Sequence, residues 1–500
     1  MNSEQPAQQP SIRPWAALWS MVLGFFMILV DTTIVSVANP SIMQSLETTM
    51  VATLWATSAY LLAYAVPLLI TGRLGDRFGT RRIYLAGLAV FTISSLMCGL
   101  ADSIEVLIFA RVLQGLGAAL MTPQTMAVIT RIFAPRERGS AMAVWGVTAG
   151  VATLVGPILG GFLLDAWGWE WIFFINVPVG VIAFVLAMRF VPKLPTNAHR
   201  FDWLGVILSA LGMFLLVFGI QEGQSYEWGM IWGPISVWGL IIAGIVILAL
   251  FVVWQRVQRG EPLIPLQIFR DRNFSVGSAA IVMVGFSVTS MNLPLMFFLQ
   301  LVMGLTPTQS ALLMIPMAVL SIVLARPVGL LIDRRDPRRI PVIGLLLVGI
   351  GVLGYALLLK PDTPVLMFLI PSAILGVGNA FMWGPLSSIT TFGLDPRLAG
   401  AGSGVYNTSR QVGAVLGSAA MAVLMESRLS ALLGEQGAAH SMGGEGGLTQ
   451  LPEPAREAFS QAMMQSLILP MCVILVGAFI AVLFGPRPAR TGEVRVVAAD

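Results

Sequence analysis

Asp31 stands inside "MVLGFFMILVDTTIVSVANP" (21–40), a stretch that is otherwise almost wholly apolar. A charged residue at the centre of a membrane helix is unfavourable by roughly 2.5–3.5 kcal/mol on insertion scales, so an acid kept there marks a proton or ion path with a partner nearby. Arg111 interrupts a second apolar run, "LIFARVLQGLGAALM" (107–121), and Arg410 a third, "YNTSRQVGAVLG" (406–417). A desolvated carboxylate prefers its proton, whereas a nearby cation favours the charged form. Asp31 and Arg111 could therefore hold and release a proton as water access or substrate occupancy changes. Asn407, Arg410 and Gln411 fall at i, i+3 and i+4 and share one helix face, which is expected to line a cavity or a gate. Arg326 lies closer to a helix end, where its long stem can reach the interface.

Other chemistries lack their parts. Cys98 and Cys472 both sit in apolar runs with no metal-ligand spacing, and are expected to be buried small hydrophobes. Lys193 and Lys360 are the only lysines, and neither belongs to a phosphate-binding G-x-x-x-x-G-K-[ST]. His199 and His440 fall between apolar runs, and no Ser/His pair or acid cluster lies within them. An ATP-driven machine, a hydrolase, a metal site and a bound cofactor are all left unsupported.

The elements that must position these residues are membrane helices. Over 500 residues, 56% are hydrophobic and 11% charged, with a mean hydropathy of +0.84. About a quarter of a soluble protein is charged, so most of this chain faces lipid or other apolar helices. Spans of roughly 20 apolar residues are expected at 15–38, 51–71, 83–101, 104–130, 139–164, 171–190, 202–220, 231–254, 274–299, 308–331, 341–359, 364–390, 400–425 and 463–485. No convincing cleavage site follows the first run, so it is expected to be retained. With residue 1 in the cytoplasm and sides alternating, 23 of the 29 basic residues fall inside, and Lys360, Arg428 and Arg456 fall outside. That skew follows the positive-inside rule and places both termini in the cytoplasm. The net charge of +4 is spread over short clusters without a basic face, which argues against nucleic acid. A long external loop, 427–461, is expected to carry one short amphipathic helix.

The chain also repeats itself. "GRLGDRFGTRR" (72–82) returns as "GLLIDRRDPRR" (329–339), with Gly72, Asp76, Arg77, Arg81 and Arg82 matched by Gly329, Asp333, Arg334, Arg338 and Arg339. "GLGAALM" (115–121) returns as "GVGNAFM" (376–382), and Arg136, Gly139, Val144 and Gly156 as Arg397, Gly400, Val405 and Gly417. The nearly constant offset points to duplication of a six-helix unit, with spans seven and eight inserted between the copies. Paired halves rocking about a midplane site are a transporter plan. Residues 1–200 form the first half, 201–260 the insert and 261–500 the second half.

Within "GRLGDRFGTRR", Gly72 and Gly79 are expected to allow a tight turn, and Asp76 to face a helix N-terminus. In "GPILGG" (156–161), Gly156, Gly160 and Gly161 leave a strip where a second helix can approach closely, and Pro157 bends the helix. These two motifs, with "VDTTIVSVANP" (30–40), "RVLQGLGAA" (111–119) and "WIFFINVPVG" (171–180), resemble the major facilitator superfamily and, within it, the fourteen-span drug:proton antiporters. The resemblance covers nearly the whole chain. It departs at Ala143 and Ala152, where the fuller pattern has glycine, and at Glu170, where a basic residue is usual.

The resemblance implies an all-α membrane fold of fourteen helices: two six-helix bundles plus two inserted helices. It assigns Asp31 and Arg111 to proton and substrate coupling. The two Gly-Asp-Arg loops (Gly72, Asp76, Arg77, Gly79, Arg81, Arg82 and Gly329, Asp333, Arg338, Arg339) become gates, and Gly156, Pro157, Gly160 and Gly161 an antiporter strip sealing the halves. Cavity candidates are Phe25, Phe26, Gln114, Met291, Asn292, Phe297, Phe298, Asn379 and Trp383, joined by the Asn407–Arg410–Gln411 face. The expected activity is proton-coupled export of drugs or other amphipathic molecules across the cytoplasmic membrane, with an endogenous metabolite or lipid precursor as the alternative cargo. The expected partners are substrate, protons and lipid, and the expected unit is a monomer.

Overall fold

The computed structural model describes residues 13–133, 138–196, 202–223, 226–258, 262–334, 338–394, 399–441 and 453–486. These residues form α1 (Pro14–Ser45), α2 (Met50–Ala65), α3 (Leu68–Phe78), α4 (Thr80–Gly99), α5 (Ile104–Ile132), α6 (Arg138–Trp167), the single turn α7 (Trp171–Phe174) and α8 (Asn176–Phe190). Next come α9 (Trp203–Gln221), a two-stranded hairpin β1 (Met230–Trp232) and β2 (Ile235–Ser236), and α10 (Val237–Val257). The chain closes with α11 (Arg272–Phe297), α12 (Pro307–Leu312), α13 (Ile315–Arg334), α14 (Arg339–Leu358), α15 (Leu369–Phe392), α16 (Ala399–Ser441) and α17 (Glu453–Val482). The expected segments overlap these helices, though the one expected at 231–254 begins on the hairpin and turns helical only at Val237. Among the described residues, twelve helices are long and apolar enough to cross a membrane, and Met50–Ala65 and Val155–Trp167 are shorter apolar helices.

Local chemistry sets the boundaries. Thr49, Asp202, Ser236 and Asp271 accept a backbone N–H from the first turn of α2, α9, α10 and α11, and Thr306 forms a capping box with Gln309 at α12. Pro67, which has no N–H to donate, separates α2 from α3. Pro40 does not end α1, which runs on to Ser45, because neighbouring helices can re-satisfy a freed carbonyl.

The repeat in the sequence reappears in the packing. A Cβ built on Gly115 would meet the Tyr60 carbonyl at 2.5 Å, and one on Gly376 the Met317 carbonyl at 2.5 Å. Likewise Gly117 faces the backbone of Gly87 and Phe91, and Gly378 that of Gly344 and Val348. Close contacts of α5 with α2 and α4 thus recur in α15 with α13 and α14, each needing glycine at the same place.

Successive passages alternate in direction, so the bundle has two ends. The turn after α1 lies at what we term end B, the turn after α3 at end A. Among the described residues, three hydrogen bonds join α1–α8 to α11–α17: Ser58 to Ser418 (2.8 Å), Gln300 Nε2 to the Val37 carbonyl (3.0 Å), and the Thr308 N–H to Asp165 (3.2 Å). All three lie in the end-B half of the molecule.

Helices α9 and α10 pack on each other through Gly212, Gly219 and Gly244. Asp202 ties them at end A by accepting from Trp254 Nε1 and Gln255 Nε2, each at 2.7 Å. Ile242, Ile245, Val246, Leu250 and Val253 of α10 are exposed apolar residues, as a lipid-facing surface requires.

Three sequence expectations change. The stretch 72–82 is not mostly loop: α3 continues to Phe78, Gly72 lies inside it, and Gly79 alone makes the turn, with φ +97°. Among the described residues of the expected loop 427–461, α16 extends to Ser441 and α17 starts at Glu453, because the Ala- and Leu-containing sequence continues helix at both ends. Cys472 is exposed on the outer surface of α17, while Cys98 is buried as expected.

Candidate functional site

Asp31 lies on α1, fourteen residues before its end at Ser45. At 1.5 Å per residue that is about 21 Å, deeper than an end near residue 38 implies. Arg111 lies in the second turn of α5, which begins at Ile104. The two meet: Arg111 Nη1 is 2.6 Å from Asp31 Oδ2, with exposures of 1% and 0%. Two further donors complete the carboxylate. Gln114 Nε2 donates to Asp31 Oδ1 at 2.8 Å, and Asn176 Nδ2 to the same oxygen at 3.2 Å.

The partners are themselves held. Arg111 Nε donates to the Ala56 carbonyl of α2 (3.1 Å) and Nη1 also to Gln114 Oε1 (2.7 Å), while its guanidinium lies 4.0 Å from the centroid of the Tyr60 ring. Ser95 of α4 accepts from Asn176 (2.9 Å) and Gln114 (3.2 Å), and donates to the Phe173 carbonyl (3.0 Å). Five passages of the first half, carrying α1, α2, α4, α5 and α8, therefore converge on one carboxylate. A buried ion pair survives when its remaining lone pairs and protons are satisfied, and this one is.

Chemically, this is a closed, charge-compensated ion pair: Asp31 accepts from three side-chain donors and is shut off from solvent.

The sequence paired Asp31 with Arg111 and placed Gln114 in a cavity. Gln114 is instead fully buried and spent on Asp31, and Phe25 is 4% exposed. Met291, Phe297 and Phe298 are buried in a hydrophobic core that joins α11–α17 to Val37 and Met43 of α1 and Met50 and Leu54 of α2, rather than lying on an open surface. Asn292 is half-buried and bonds back to the Val288 carbonyl of its own helix (3.3 Å), Asn379 is half-buried, and Trp383 is exposed. Asn407 and Arg410 are half-buried and Gln411 is buried.

Sequence reasoning noticed Asn176 within a motif without placing it at the carboxylate, and it missed Ser95 and Tyr60. Polar side chains at 94 and 95 in an otherwise apolar run were the available signal for α4.

The glycine strip is where close approach is demanded. A Cβ on Gly156 would lie 1.9 Å from Thr33 Oγ1, one on Gly160 2.5 Å from Ile34 Cγ1, and one on Gly161 2.6 Å from Thr308 Cα. Gly156 and Gly160 thus seat α1, and Gly161 seats α12 of the other half at end B. Pro157, between them, is buried.

At end A, Arg73 donates to the Pro262 carbonyl and Arg81 to the Met188 carbonyl. Arg77 stacks on Phe78 at 5.5 Å, and Arg82 and Arg339 are exposed. Gly329 lies inside α13 with nothing within 4 Å of a built Cβ, and half-buried Arg338 immediately precedes α14. The side chains of Asp76 and Asp333 lie outside the described residues.

Comparison with known proteins settles the family. The profile of the Major Facilitator Superfamily matches residues 21–418. The chain belongs to the major facilitator superfamily. As a member it is a multi-pass membrane transporter and not an enzyme. It is 50% identical to an uncharacterized MFS-type transporter of Mycobacterium tuberculosis over 94% of this chain and 81% of that one. It is 35% identical to the tetracenomycin C resistance and export protein of Streptomyces glaucescens over 85% of this chain and 78% of that one. Among solved structures, a bacterial homolog of the human lysosomal transporter Spinster superposes with a TM-score of 0.62 at 18% identity, covering 95% of this chain and 97% of that one. That likeness concerns the superfamily fold alone.

Proposed function

We propose that this superfamily member is a proton-coupled antiporter that exports drugs or other amphipathic small molecules across the cytoplasmic membrane. The carrying observation is the Asp31 carboxylate, fully buried and held by Arg111, Gln114 and Asn176. The name of the Streptomyces relative, a resistance and export protein, supports the direction of transport.

In this reading the chain crosses the membrane fourteen times, with six helices (1–200), two inserted helices (201–260) and six more (261–500). End A, with its arginine-rich turns, faces the cytoplasm, as do both termini. In this reading the state accessible from the cytoplasm is the one with end B closed and end A open. Cargo enters from that side. Rocking about the glycine strip opens end B, cargo leaves, and a proton from outside reaches Asp31. Return of the halves exposes Asp31 to the cytoplasm, and the proton departs to water there. The membrane potential contributes about 2.3 kcal/mol per charge per 100 mV, a driving force that needs no ATP. The arginine-bearing turns act as gates and the central helices supply the cavity. The transporter acts as a monomer.

The test is a susceptibility panel comparing cells that lack the protein with cells that overexpress it. Resistance that rises with expression and disappears when an uncoupler dissipates the proton gradient supports the reading. An unchanged panel, with a single endogenous compound accumulating in the deletion strain, replaces drugs with a dedicated metabolite or lipid precursor as cargo.

A further inference from the structure

The second half of the bundle contains a buried-helix cation that the proton-binding centre does not use. Arg410 lies on α16, level with Gly285 of α11, where a built Cβ would meet the Arg410 carbonyl at 2.1 Å. Across the bundle it acts electrostatically on Tyr64 of α2, and one turn earlier on its own helix on Tyr406. Tyr64 sits midway along the 50–78 passage, out of reach of lipid headgroups at either end. Arg410 is half-buried and, among the described residues, has neither an ion pair nor a side-chain hydrogen bond. Arg111, by contrast, has every neighbour it needs.

Two polar groups flanking Arg410 on α16 lack a hydrogen-bond partner. Gln411 is 2% exposed, and its Nε2 has no hydrogen-bond acceptor. Tyr406 is 6% exposed, and its hydroxyl has no partner. Buried polar groups are nearly always paired, so unpaired ones mark a place that something else occupies. An unpaired guanidinium beside an unpaired amide N–H and a free hydroxyl is a set of donors awaiting an acceptor. A cation would be repelled there, and a neutral molecule would leave the charge uncompensated.

We propose that Arg410, assisted by Gln411 and Tyr406, binds the anionic group of an amphipathic organic anion: a carboxylate, a sulfonate or an ionised phenol. The guanidinium fork suits such groups because it presents two parallel N–H donors. The proposal rests on the exporter reading and names the charge of its cargo. Because Arg410 belongs to the second half and Tyr64 to the first, a bound anion lies at the junction that rocking must open.

Two matched fluorescent probes test this with the purified full chain in detergent: anilinonaphthalene sulfonate and the same anilinonaphthalene without the sulfonate. Binding is read at equilibrium with no proton gradient, and each variant is scored by the ratio of the two affinities. The uncharged probe therefore controls for folding. Arg410→Gln is expected to lower the sulfonate affinity at least tenfold relative to the uncharged probe, and Arg410→Lys less than threefold. A wild-type protein that does not bind the sulfonate, or a ratio unchanged in Arg410→Gln, overturns the proposal. Failure here leaves proton-driven export standing, since that is read separately through Asp31.

Discussion

Asn176 and Arg111 bind different oxygens of the same carboxylate, at 3.2 and 2.6 Å from Asp31 Oδ1 and Oδ2. Asn176 opens α8 and Arg111 lies in the second turn of α5, so the carboxylate ties two helices that approach from end B. A change at Asp31 therefore acts on the packing of both helices together.

The first prediction concerns stability. Asp31→Asn leaves the Arg111 guanidinium buried without its counter-charge, and breaking a buried pair from one side costs about 3–5 kcal/mol. The buried geometry predicts a protein that inserts but melts at lower temperature. Adding Arg111→Gln to Asp31→Asn should recover part of the loss. Thermal unfolding of the single and double variants in detergent measures both, and a double variant less stable than the single one contradicts the pairing.

Asn176→Ala removes one donor from Asp31 and one from Ser95. Loss of a buried hydrogen bond leaves an unsatisfied group at a cost of about 1–3 kcal/mol. The melting temperature should fall by less than in Asp31→Asn, because the ion pair survives. Equal falls in the two variants would mean that Arg111 is not the dominant partner.

Much of this architecture is legible in the sequence. The apolar runs marked where helix forms, twelve of them among the described residues long and apolar enough to cross a membrane, and the two deep opposite charges, Asp31 and Arg111, announced each other. Asn176, Ser95 and Tyr60 were harder. Neutral polar side chains cost little in a hydropathy pattern, so nothing local says that Ser95 and Asn176 face the same carboxylate. That requires knowing how α4 and α8 pack. Gln114 was read as cavity-lining for the same reason: its helix was known but its face was not. Gly72 looked like a turn residue because its motif was read as a loop, whereas of the two glycines Gly72 and Gly79 only Gly79 takes positive φ.

The glycine strip gives a contrast within one protein. Gly161→Leu would drive side-chain atoms into the Thr308 backbone, which cannot move aside cheaply, and should hold end B apart. Transport turnover should fall at least tenfold while cargo binding persists. Gly329→Ala meets nothing within 4 Å and should leave turnover within twofold of wild type. Labelling of a cysteine introduced at Gln300, beside the Val37 carbonyl, reads the opening directly, and it should be faster in Gly161→Leu. Unchanged labelling would remove the strip from the closure of end B.

Asp202 makes a local prediction. It caps α9 through the Gly205 N–H at 2.9 Å and accepts from Trp254 and Gln255 of α10. Asp202→Ala should loosen the inserted pair, at a cost of about 1–2 kcal/mol for the cap alone. The melting temperature in detergent should fall, with proton-driven export retained. Loss of export at normal expression would show that the inserted helices do more than pack beside the two halves.

The most direct measurement is proton exchange by the purified protein when a drug from the susceptibility panel is added in weakly buffered solution. If Asp31 carries the exchanged proton, the wild type changes the pH on binding in a drug-dependent, saturable manner, and Asp31→Asn gives no change while still binding the drug. A wild type that binds drug without moving a proton, or an Asp31→Asn variant that moves as many, contradicts it.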